Sequence, residues 1–90
     1  MKNKRPPTMA LGKIRLRYRQ IPYDNRYIFI DWKNTYSVWE QIGKICYASF
    51  NFNLLPYEFF SKNYMWQIDK FKVEFKNKIK KYDEYLDAND

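Results

Sequence analysis

The run Lys13-Ile14-Arg15-Leu16-Arg17-Tyr18-Arg19 decides the fold class. It alternates without a break, so Ile14, Leu16 and Tyr18 share one face of an extended chain while Lys13, Arg15, Arg17 and Arg19 share the other. A half-buried β-strand is the reading. Beyond it, Ile21-Pro22-Tyr23-Asp24-Asn25 supplies the proline, aspartate and asparagine that turns use, and Arg26 to Trp32 returns to aromatic and β-branched residues. These features predict an antiparallel β-hairpin over 13–32. Its second strand is apolar on both faces, with Tyr27 and Phe29 opposing Ile28, Ile30 and Trp32. Something has to cover both sides.

Helix signals follow the hairpin. Ser37-Val38-Trp39-Glu40 has capping-box spacing, and Val38, Trp39, Ile42, Ile45, Cys46 and Phe50 fall on one helical stripe, which predicts a helix over 36–50. Gly43 in its middle would cost about 1 kcal/mol relative to alanine. Pro56 suits a first helical turn, and the apolar stretch from Leu54 to Phe60 predicts a short buried helix near 55–61. Tyr64, Ile68, Phe71, Phe75, Ile79, Tyr82 and Leu86 then recur at helical spacing, which predicts a long amphipathic helix over 62–86.

The expected architecture is therefore α+β: an N-terminal antiparallel β-hairpin, two shorter helices and one long C-terminal amphipathic helix, forming a single domain over 13–86. Residues 1–12, with Lys2, Lys4, Arg5, Pro6 and Pro7, read as a flexible basic arm, and 87–90 as an acidic tail that opposes the helix dipole.

Composition supports one small folded domain. Of 90 residues 46% are apolar and 21% aromatic, more core material than a disordered chain carries. The chain has no histidine and only Cys46 as a thiol, which leaves no zinc site, no internal disulfide and no Cys-His nucleophilic pair to build. Cys46 reads as a small buried hydrophobe. With only Gly12 and Gly43, no glycine-rich phosphate loop can be written, so neither a metal nor a cofactor is expected.

Asp31-Trp32-Lys33 matches half of a metal-dependent nuclease site. Its possible partner Asp24 lies at the other end of the same strand, roughly 23 Å away in extended chain. Carboxylates sharing a metal sit far closer than that. The expectation is a binding protein and not an enzyme. No apolar run approaches the ~20 residues of a membrane span, so a cytoplasmic protein without membrane contact is expected.

Charge then locates the binding. Lys+Arg 17 against Asp+Glu 10 gives a net +7, and every arginine precedes Tyr27. The arginine fork suits bidentate phosphate recognition, whereas the lysines farther along read as a solvated helix face. Lys13, Arg15, Arg17 and Arg19 form a cationic ladder about 20 Å long. With Arg26 they are the candidate contacts for nucleic acid, DNA or RNA, or for a nucleoprotein. Tyr18, Tyr23, Tyr27 and Trp32 are the candidates for base stacking.

A second expectation comes from another class. The chain could be a protein-binding regulator or inhibitor of the kind encoded by phages or other mobile elements, acting on a host protein through its aromatic surface. Exposure of Trp32, Trp39 or Trp66 would favour it. Homodimerisation through the hairpin edge fits both readings.

Overall fold

In the computed structural model, which describes residues 5–21 and 25–88, four strands run in chain order as one antiparallel meander. They are β1 (Thr8–Leu11), β2 (Ile14–Gln20), β3 (Arg26–Lys33) and β4 (Trp39–Cys46). Two 3-10 turns at Tyr47–Ser49 and Phe52–Leu54 lead to helices α1 (Tyr57–Lys62) and α2 (Met65–Ala88). The α+β class holds, and two of its details change.

The predicted hairpin is the centre of the sheet. Leu16 pairs with Ile30 and Tyr18 with Ile28, so the apolar faces of β2 and β3 coincide. The Ile21 amide closes the connection by donating to the Asn25 carbonyl at 2.7 Å. Pro22, Tyr23 and Asp24 lie outside the described residues, and with them the stacking candidate Tyr23. Both hairpin strands are interior, flanked by β1 and β4, so the hairpin offers no free edge for dimerisation.

The first change is β1, which occupies part of the stretch expected to be a flexible arm. Leu11 pairs with Ile14 across a two-residue turn whose first residue, Gly12, sits at φ 63°. A hairpin turn of that length needs such backbone, and glycine adopts it without a Cβ penalty. Met9 and Leu11 then pack against the core.

The second change is larger: residues 39–46, expected to be helical, form strand β4. The supposed capping box does not form. Instead Asn34 Oδ1 accepts from the amides of Tyr36 (2.9 Å) and Val38 (3.0 Å), while Ser37 takes φ 61°. This Asx-type turn sends the chain back along β3. The register slips between Ile30 and Asp31, leaving Ile42 as the extra residue of a β-bulge. A bulge reverses which residues face which side, so the apolar residues of β4 do not alternate and mimic a helical stripe. Pairing with the doubly apolar β3 outweighs that local pattern. Cys46, expected to be buried in this segment, is exposed.

The helices cover one face of the sheet. Ile68, Phe71, Phe75, Ile79 and Tyr82, the predicted stripe, are buried along α2, whereas Tyr64 precedes the helix and is exposed. They meet Ile14, Leu16, Tyr18, Ile28 and Ile30, with Phe52, Leu55 and Phe59 completing the core. Each such buried aliphatic or aromatic side chain contributes roughly 1.5–3 kcal/mol. The Tyr18 hydroxyl donates to Asp83 Oδ1 at 3.0 Å and the Arg26 Nε lies 3.4 Å from the same oxygen, which pins the far end of α2 to the sheet. Among the described residues no helix is long and apolar enough to cross a membrane.

Candidate nucleic-acid interface

Among the described residues no helix covers the second face of the sheet. Alternation along β2 places Arg15, Arg17 and Arg19 there, and the pairing register brings Asp31, Phe29 and Tyr27 opposite them on β3. Beyond β3 the same register adds Gln41 beside Asp31, Lys44 beside Phe29 and Trp39 beside Lys33. Phe29 and Asp31 are buried on this face yet lie outside the hydrophobic core, so what covers them is the layer of long side chains around them.

Asp31 organises that layer. Only 1% of it is exposed, and it accepts from Arg15 Nε at 2.7 Å, Arg17 Nε at 2.6 Å and Arg17 Nη2 at 2.8 Å. Burial alone would raise its carboxyl pKa, but the hydrogen bonds from Arg17 and Arg15, reinforced by their charges, hold it below its ordinary value. Arg17 also reaches Gln41 Oε1 at 3.2 Å. Arg15 is engaged through Nε alone, so its outer nitrogens have no protein acceptor among the described residues.

Rings and cations interleave across the face. The Arg15 guanidinium lies 4.7 Å from the Trp39 ring centroid and Lys33 Nζ 5.6 Å from the same ring. Arg17 lies 5.1 Å over Phe29, and Lys44 lies 4.8 Å over Tyr27. Such contacts hold the long side chains in place without neutralising them. Five cations, Arg15, Arg17, Arg19, Lys33 and Lys44, face one acid, Asp31, so the surface keeps a surplus of positive charge.

The residues expected to form the site divide between two places. Arg15, Arg17, Arg19 and Tyr27 are together on this face. Lys13 belongs to the turn before β2, and its Nζ lies 5.9 Å over Trp32, beside a cavity of about 330 Å³ that also touches Glu58 and Lys62. Arg26 is on the helix side with Asp83. Tyr18 is fully buried, and burial followed by its bond to Asp83 pushes its hydroxyl pKa far up, so its ring meets the core and no base can reach it. Trp32 is half-buried against the core.

Phe29, Lys33, Trp39, Gln41 and Lys44 are the contributors that sequence reasoning missed. The alternation of β3 places Phe29, Asp31 and Lys33 with Tyr27, so their signal was present. Trp39, Gln41 and Lys44 could be found only by recognising β4. Both Asp31 oxygens accept from arginines, and among the described residues no group of three or more His, Cys, Asp or Glu is placed to hold a metal ion. The chain matches no protein-family model, and comparisons with curated proteins and with solved structures return no match.

Proposed function

We propose that the uncovered sheet face binds single-stranded nucleic acid, DNA or RNA, free or within a nucleoprotein, without catalysis. The observation that carries this reading is the interleaving of cations with rings on one open face, Trp39 between Arg15 and Lys33 above all. Phosphates would meet Arg15, Arg19, Lys33 and Lys44, and bases would stack on Trp39 and Tyr27 as the lysines move aside to the backbone. Phosphate contacts supply affinity and register but little base specificity.

Removing Arg15 and Arg17 would strand the buried Asp31 carboxylate, so the cleaner test is Arg19→Ala/Lys33→Ala/Lys44→Ala, which leaves that cluster intact. Fluorescence anisotropy of a labelled single-stranded oligonucleotide should show binding at low salt. The log–log salt slope should become shallower by about 2 in the variant, since each phosphate contact on a single strand contributes about 0.7. No binding by the native protein, or an unchanged slope in the variant, would end this reading.

A second reading has one observation in its favour. Trp66 is 65% exposed beside the exposed Tyr64 and Met65, a cluster of the kind found at protein interfaces. The chain would then act as a regulator or inhibitor that binds a protein. Capture of one defined partner from nuclease-treated lysate, lost on Trp66→Ala, supports this reading. Capture that nuclease abolishes, or that ignores Trp66, refutes it.

A further inference from the structure

A second basic and aromatic surface lies away from the sheet face. The chain after β4 stands off from α2 and leaves a cleft of about 660 Å³, whose walls include Phe50, Asn51 and Phe52 on one side and Lys72 and Lys76 on the other. Phe50 and Phe52 meet edge to face at 5.0 Å, and Lys72 Nζ sits 5.6 Å over the Phe52 ring. Asn51 Oδ1 accepts from the Asn53 amide at 2.8 Å, which fixes the side chain and leaves its NH2 group as a donor.

The lysines here differ from their neighbours on α2. Lys70 has an acid within reach, Glu74 Oε1 at 3.9 Å. Lys72, Lys76 and Lys80 make no ion pair within 4 Å among the described residues, and they stand one helical turn apart in a single row, about 6 Å between successive residues. Like charges at that spacing destabilise a helix. A row of cations outside close ion pairs, beside a cleft walled by rings and an amide donor, suits a ligand that combines anionic groups with flat rings.

We propose that this cleft is a second binding site for nucleotide units of a single strand, with a base against Phe50, the Asn51 NH2 group donating to its edge, and phosphates along Lys72, Lys76 and Lys80. The proposal shares its ligand class with the sheet-face reading and rests on that reading for it, but uses none of the same residues.

The two can be separated in one titration. Oligothymidylate is added to the intact 15N-labelled protein at low salt while the Asn51 side-chain amide, the Phe50 and Phe52 backbone amides and the Trp39 indole NH are followed. The expected result is movement of the cleft signals together with Trp39. In Lys72→Ala/Lys76→Ala, the salt slope should become shallower by about 1.4, at about 0.7 per lost contact. The more exposed pair Lys76→Ala/Lys80→Ala provides the same test should the first variant fold poorly. Movement of Trp39 alone, or an unchanged slope in both variants, overturns the cleft and leaves the sheet face standing. Movement of the cleft signals alone supports the cleft and overturns the sheet face. Silence at both overturns both.

Discussion

The two faces of β2 come from one alternating run and serve different ends. Ile14, Leu16 and Tyr18 disappear under α2, and one acid of that helix, Asp83, sits at the rim, where it receives the Tyr18 hydroxyl and lies close to Arg26. Arg15, Arg17 and Arg19 have no helix above them, and the single acid on their side, Asp31, is the more deeply buried of the two. On the inner face the acid fastens a helix. On the outer face it fixes two guanidinium groups against the sheet, with Phe29 and Trp39 beneath them. Folding therefore uses up the inner face, while the outer one is kept ordered and charged without contributing to the core.

That contrast can be broken at several points. Leu16→Ala should cost about 2–5 kcal/mol in chemical denaturation, since it opens a cavity in the wholly buried face, while the protein that remains folded binds oligonucleotide as before. A smaller loss than that from Arg19→Ala would mean that the faces had been assigned the wrong roles.

Asp31→Ala should cost about 1–3 kcal/mol, because two half-buried guanidinium groups lose their acceptor. The carboxyl pKa is depressed in the folded state, so its stabilisation is fully present above the unfolded value and is lost as pH falls through the lower folded one. Native stability should therefore decline below about pH 4, and the decline should flatten in Asp31→Ala. Denaturation followed between neutral pH and acid would show it, and an equally steep decline in the variant would remove Asp31 from the account.

Trp39→Ala should weaken oligonucleotide binding by about 1–3 kcal/mol, the worth of one stacked base. Its effect on unfolding should be smaller than that of Leu16→Ala, since Trp39 is only half-buried. The reverse pattern would make Trp39 a structural residue. Smallest of all, Ser37→Gly should raise stability by about 0.5 kcal/mol, because Ser37 is held at φ 61°, where a Cβ is strained. The thermal midpoint would report it, and binding should not change.

Much of this was legible in the residues. The run from Lys13 to Arg19 reads as a strand because its period of two is unbroken, and the stripe from Ile68 to Tyr82 reads as a helix because nothing interrupts it. β1 was hidden by its brevity, four residues behind two prolines. β4 was hidden by the Ile42 bulge, which destroys the alternation that would have revealed it. The site inherited the same blind spot. Arg15, Arg17, Arg19 and Tyr27 followed from alternation, and the pairing of Asp31 with Arg15 follows from the hairpin register. Trp39 and Lys44 reach the face only through β4. Lys13 left the expected ladder for a turn, and Arg26, the further candidate contact, lies on the helix side; charge counting along a sequence does not reveal such departures.

On the proposed function, a nucleic-acid strand lies along the outer face of the sheet. Trp32→Phe/Trp66→Phe leaves Trp39 as the one tryptophan, in contact with Arg15 and Lys33 at the β4 edge of that face. Its emission can be recorded while single-stranded oligothymidylate is added at low salt and then displaced by added salt. Quenching that saturates with the oligonucleotide and reverses with salt is the predicted result. Unchanged Trp39 emission, while anisotropy of the same labelled oligonucleotide reports binding, would contradict it.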